Sequence, residues 1–189
     1  MFSKTEIFNI SNFLSFLRLT LSIPLWFLLN DFRNDKTLYT VLIIAVFALA
    51  SDFLDGFFAR KFKLITDFGK MIDPLADKIV TGVVVIKLFI LKEIPEYLFY
   101  MIISRDIIIF IGGIILSVKI GKVFPSNMIG KITVCVLALL LVMIILSIEK
   151  SSLVYRSVFY STLILIVVSF IAYIIRAFEF INKKKYESV

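Results

Sequence analysis

Six apolar stretches of about 20 residues, parted by short polar breaks, constrain this chain more than any other feature. They cover residues 12–29, 37–58, about 69–91, 97–118, 128–148 and 153 to about 180. A helix rises about 1.5 Å per residue, so each run is long enough to cross the hydrocarbon core of a bilayer. The chain therefore reads as an all-α integral membrane bundle of six transmembrane helices. It forms a single domain over residues 1–189, with no internal repeat. Hydrophobic residues make up 60% and the mean hydropathy is +1.01, far above a soluble domain. Arg18 interrupts the first run and no small-residue cleavage site follows, so that run is read as a span and not a signal peptide.

Composition then removes several chemistries. There is no histidine, which excludes His-based acid/base work, His metal ligation and Ser-His triads. The single cysteine, Cys135, allows no disulfide within one chain and is read as a small packing residue. Carboxylates, Lys, Arg and hydroxyls remain. The net charge of +7 suits membrane lipid head groups, and no nucleic acid partner is expected.

The cations are not spread evenly. Alternate breaks carry Lys4; Arg60, Lys61, Lys63 and Lys70; Lys119 and Lys122; and Lys183, Lys184 and Lys185. The other breaks mix their few cations with Asp31, Asp35, Glu93, Glu96 and Glu149. The positive-inside rule places both termini, and the turn near Arg60, in the cytoplasm.

That turn lies inside residues 51–78, SDFLDGFFARKFKLITDFGKMIDPLADK. Asp52 and Asp55 are spaced i,i+3, and Asp73 and Asp77 i,i+4, so each pair shares one face of a helix. The connector 61–68 is short and polar, and two helices joined by it would bring four carboxylates together. Four such groups repel one another, and divalent cations are the simplest remedy. Hard cations such as Mg²⁺ take oxygen ligands, and paired metals suit displacement at phosphorus. Acids at membrane depth are expensive and usually functional. A transporter or channel would spread its ionisable groups along a path through the midplane, whereas these cluster at one depth.

The spacing resembles a known signature. Asp52, Asp55, Gly56, Ala59, Arg60, Gly69, Asp73 and Asp77 match D-x2-D-G-x2-A-R-x8-G-x3-D-x3-D of the CDP-alcohol phosphatidyltransferases at every fixed position. Eight fixed positions coincide by chance on the order of once in ten billion placements, so the spacing carries the likeness. The resemblance implies transfer of a phosphatidyl group from a CDP-activated lipid to an alcohol, with release of CMP. It implies that Asp52, Asp55, Asp73 and Asp77 hold two Mg²⁺ (or Mn²⁺) ions, and that Asp77 takes the acceptor's proton. Asp52, Gly56, Ala59, Arg60 and Gly69 would bind the CDP donor, and a homodimer is implied by the family alone.

The acceptor is read from softer signals. NISNFLSFLRLTLSIP (residues 9–24), IDPLADK (72–78) and IGK (129–131) resemble bacterial members that use CDP-diacylglycerol and glycerol 3-phosphate. YMIISRD (100–106) is similar to members that use phosphatidylglycerol and make cardiolipin. Arg105 and Lys131 are the candidates for the acceptor phosphate. Arg18 is a weaker candidate, and Lys87 and Arg176 are read as structural. The plainer reading of these cations is snorkelling or a structural ion pair, which Arg105 beside Asp106 invites, though adjacent residues leave a helix on different faces. Pro74 is expected to bend the third helix and Asp67 to be a solvated loop charge. A bacterial cytoplasmic membrane, with the site facing the cytoplasm, is the expected location.

Overall fold

The computed structural model describes residues 10–61, 67–120 and 127–187; within them, the side chains of residues 10–14, 49–50, 52–75, 118–120, 180 and 182–187 fall outside the description. Among the described residues there is no strand. The helices are α1 (Ile10–Leu28), α2 (Asp35–Lys61), α3 (Asp67–Ile90), α4 (Glu96–Ile120), α5 (Met128–Ile145) and α6 (Leu153–Glu187), with a 3₁₀ turn at Leu29–Asp31 after α1.

Local chemistry explains several helix ends. Asn34 precedes α2, and its side-chain oxygen accepts from the Lys36 N–H at 3.1 Å. Asn127 does the same for Ile129 at 3.2 Å, and Ser152 for Tyr155 at 3.2 Å. Each satisfies a donor that the first turn leaves over. Asp35 and Glu96 add negative charge to first turns, where the helix dipole favours it. Two helices end in Schellman caps without glycine. Lys92 takes φ 59° and the Glu93 N–H donates to the Leu88 carbonyl at 2.9 Å. Ser147 takes φ 51° and the Ile148 N–H donates to the Met143 carbonyl at 3.0 Å. The second cap stops α5 at Ile145, three residues before the end of its apolar run.

One expectation about the third helix needs correction. Asp67 is the first residue of α3, not a loop charge. The chain is helical on both sides of Pro74.

The helices gather into two compact units, Met1–Glu93 and Ile94–Val189. In the first, α1 packs against both α2 and α3. The buried positions of α1 and its trailing turn are Ser15, Arg18, Ser22, Leu25 and Leu29. The alternating spacing of three and four is a seam along one face, polar towards its start and apolar towards its end. Opposite it, α3 buries Ala76, Val84, Val85, Lys87 and Leu88. Three polar ties join α1 and its trailing turn to α3 in the same order along both. Arg18 pairs with Asp77, the Lys87 ammonium sits 4.6 Å from the Trp26 ring centroid, and Arg33 pairs with Glu93. The order makes α1 and α3 parallel. The Lys87–Trp26 contact gives Lys87 the structural role expected of it.

In the second unit, α6 packs against α5 and α4. Tyr97 meets Phe159 edge-on at 6.4 Å, Arg105 Nε donates to Ser169 Oγ at 3.3 Å, and Gly112 lies against Tyr173. These contacts rise together along α4 and α6, so that pair is also parallel. Thr133 on α5, 1% exposed, donates to its own helix at Ile129 and lies 3.2 Å from the Leu165 carbonyl of α6.

Apolar side chains fill the interior of each unit, with a few buried polar ones among them, and they also cover much of the surface. Phe16, Ile23 and Phe27 on α1, and Ile164, Ile171, Ile175 and Phe178 on α6, are large and exposed. Soluble monomers rarely show such continuous apolar surface. Among the described residues three helices are long and apolar enough to cross a membrane, over Glu96–Ser117, Met128–Ile145 and Leu153–Glu179. Cys135 is exposed on α5, so it faces outward and does not fill a core.

Candidate active site

The last turns of α2 carry Asp52, Asp55, Gly56, Ala59 and Arg60, and the first turns of α3 carry Gly69, Asp73 and Asp77. Both stretches are helical, which bears out the register read from the sequence. Asp52 and Asp55 are one turn apart on α2, and Asp73 and Asp77 one turn apart on α3. The side chains of Asp52, Asp55, Gly56, Ala59, Arg60, Gly69 and Asp73 lie outside the described residues. The neighbours Ser51, before the first pair, and Ala76, within the second, are described. Ser51 is 3% exposed with its hydroxyl on the Ala48 carbonyl at 2.8 Å, and Ala76 is fully buried.

Asp77 is the described member of the four. Its Oδ1 accepts from Arg18 Nη1 across the α1–α3 contact. The pair is lopsided: the Arg18 side chain is 3% exposed and that of Asp77 47%. The carboxylate therefore meets a buried cation while about half of its own surface stays exposed. Arginine stays protonated at any ordinary pH, so Arg18 is a fixed positive charge behind Asp77. A buried guanidinium stripped of its counter-charge costs several kcal/mol, about 3–5 in typical cases, so the pair also matters for folding. Sequence reading did not find this partner, although Ser15, Arg18 and Ser22 stand at seam spacing and signal a polar stripe.

As a donor set the four aspartates fit a hard divalent cation. They offer carboxylate oxygens only, with no imidazole or thiol among them.

Arg105 and Lys131 have different surroundings. Arg105 is 6% exposed on α4, bonded to Ser169 and to Asp106 Oδ1 at 2.6 Å. The pairing with Asp106 is the structural ion pair that their adjacency invites: the guanidinium is carried on a long flexible stem that can curl back to its neighbour. Gly130 of α5 lies beside it, and a Cβ there would stand 3.5 Å from Arg105 Nη2. Lys131 is exposed. Arg176 is exposed as well.

The sequence profile of the CDP-alcohol phosphatidyltransferases matches residues 8–177. The chain belongs to the CDP-alcohol phosphatidyltransferase family. It is thus an enzyme of that class and not a transporter. Among curated relatives, a CDP-diacylglycerol–glycerol-3-phosphate 3-phosphatidyltransferase of Aquifex aeolicus is 33% identical over 183 residues, covering 93% of this chain and 99% of that one. A protein of the same name from Rickettsia typhi is 30% identical over 151 residues, covering 79% and 83%. Another from Bacillus subtilis is 38% identical over 90 residues, covering 48% and 46%. Enzymes of this family generally use divalent metal ions.

Proposed function

We propose that this enzyme transfers the phosphatidyl group of CDP-diacylglycerol to glycerol 3-phosphate, releasing CMP and forming phosphatidylglycerophosphate. The observation that carries the reading is the match to the Aquifex aeolicus relative of that name, across nearly the whole of both chains. The chain is one membrane domain of six crossings, four of whose helices are seen above as two parallel pairs. The loop cations support a site that faces the cytoplasm, in a bacterial cytoplasmic membrane. A homodimer is the expected assembly.

The reaction forms one P–O bond and breaks another. The acceptor hydroxyl oxygen attacks the phosphorus on the diacylglycerol side of the donor, the bond to the CMP oxygen breaks, and the hydroxyl proton passes to Asp77. The open side of the Asp77 carboxylate supports that role. Asp52, Asp55, Asp73 and Asp77 would hold two Mg²⁺ (or Mn²⁺) ions, which neutralise the diphosphate and the departing charge. Gly56 and Ala59 lack bulk where the cytidine would lie; Arg60 would pair with donor phosphate, and Gly69 keeps the start of α3 clear. Arg105 and Lys131 would take the phosphate of the acceptor. Arg105 supports this by its buried, fork-shaped donor set, and Lys131 by following Gly130, which lies against Arg105.

The Arg105–Asp106 sequence favours a second acceptor, phosphatidylglycerol, which would give cardiolipin. Purified protein supplied with CDP-diacylglycerol, Mg²⁺ and each acceptor in turn separates the two by lipid mass spectrometry. Phosphatidylglycerophosphate is the expected product. Cardiolipin from phosphatidylglycerol, with no product from glycerol 3-phosphate, overturns the assignment of the acceptor and leaves the reaction class standing.

A further inference from the structure

We infer that Arg18 is the positioning residue for Asp77, and that its charge also sets how tightly the site takes divalent cations. The inference rests on the role of Asp77 proposed above. Four observations carry it. Arg18 is 2% exposed, so it does not snorkel to the surface as a topological cation would. It occupies the seam of α1 between Ser15 and Ser22, both buried, and so has little freedom to swing away. Its bond to Asp77 joins residues 59 apart in the chain and is made to a carboxylate that is half open. Finally, Ala76 is fully buried beside Asp77, and the Lys87–Trp26 and Arg33–Glu93 ties secure the rest of the α1–α3 contact. The α3 helix therefore cannot slide along α1, and the guanidinium meets Asp77 at one fixed height.

Two consequences have opposite signs. Orientation by Arg18 makes Asp77 a better proton acceptor in place, so its loss slows turnover. The same positive charge opposes a dication held nearby, so its loss tightens metal binding. Damage to packing alone would weaken both. This opposition separates a positioning role from a merely structural one.

The test uses the full chain in detergent, with Mn²⁺ binding followed by electron paramagnetic resonance and CMP release followed in parallel. Arg18→Gln is expected to bind Mn²⁺ about threefold tighter or more. Its kcat falls by about tenfold or more, with KM for CDP-diacylglycerol nearly unchanged. Arg18→Lys keeps the charge and loses the fork, so Mn²⁺ affinity stays near the parent's while kcat falls. Unchanged or weaker Mn²⁺ binding in Arg18→Gln overturns the inference. So does a raised KM at constant kcat, which would put Arg18 on the donor. Should Arg18→Gln fail to fold, Arg18→Lys decides alone, and an undiminished kcat refutes the positioning role. A parent chain that binds no Mn²⁺ is a different result: it overturns the metal reading of the aspartates themselves.

Discussion

Gly112→Ala is a sharp test of how the second unit is packed. A Cβ at Gly112 would stand 2.6 Å from the Tyr173 hydroxyl oxygen, well inside the 3.4 Å where ordinary contact begins. Tyr173 is 8% exposed, and its ring cannot swing clear without disturbing the contact between α4 and α6. Overpacking of this kind costs about 1–3 kcal/mol, against which Ala gains roughly 1 kcal/mol over Gly in a helix interior. The single variant should thus be destabilised by up to about 2 kcal/mol, the remainder after that gain. The informative quantity is the coupling with Tyr173→Phe. Removing the hydroxyl leaves ring carbons at 3.4 Å as the nearest atoms, so the clash vanishes. Tyr173→Phe should stabilise the Gly112→Ala chain, a coupling of about 1–3 kcal/mol. Gly113→Ala is the control, because its Cβ would lie 3.9 Å from the same oxygen. Unfolding by SDS in mixed micelles, followed by circular dichroism, gives all the values. Additive effects, or a Gly113→Ala chain as damaged as Gly112→Ala, would refute the packing described.

Other outcomes follow from the site and the caps. Asp77→Asn should lower CMP release by about 10²-fold or more while CDP-diacylglycerol binding, measured by isothermal calorimetry, largely survives; a near-normal rate removes Asp77 from proton transfer. Chelation with EDTA should stop turnover, and excess Mg²⁺ should restore it; activity that persists in EDTA denies the aspartates their metal. Ser147→Gly relieves a left-handed non-glycine residue at the end of α5 and should raise unfolding free energy by about 0.5–1 kcal/mol; a loss of stability there would contradict the cap.

Much of this protein was legible in the sequence because its strongest signals are local. Apolar runs locate helices by length alone, and all six described helices lie over the expected runs. The i,i+3 and i,i+4 aspartates needed only a helical backbone to share a face, and α2 and α3 supply it. What was not legible depends on which face looks inward. In a membrane protein apolar residues cover both the core and the outside, so an apolar run does not say where Cys135 points. The informative pattern is the polar one, and Ser15, Arg18 and Ser22 held it. The sequence left the Arg105–Asp106 pair open, because face arguments treat side chains as short pegs while a guanidinium on a long stem reaches round to its neighbour.

The most direct measurement is CMP release from CDP-diacylglycerol by four purified chains, Asp52→Asn, Asp55→Asn, Asp73→Asn and Asp77→Asn, beside the parent with Mg²⁺ and glycerol 3-phosphate. If the two helix ends form one centre, the parent releases CMP and every variant loses about 10²-fold or more while keeping its helical spectrum. Folded variants of either pair that work at the parent's rate, or a folded parent that releases no CMP, would contradict it.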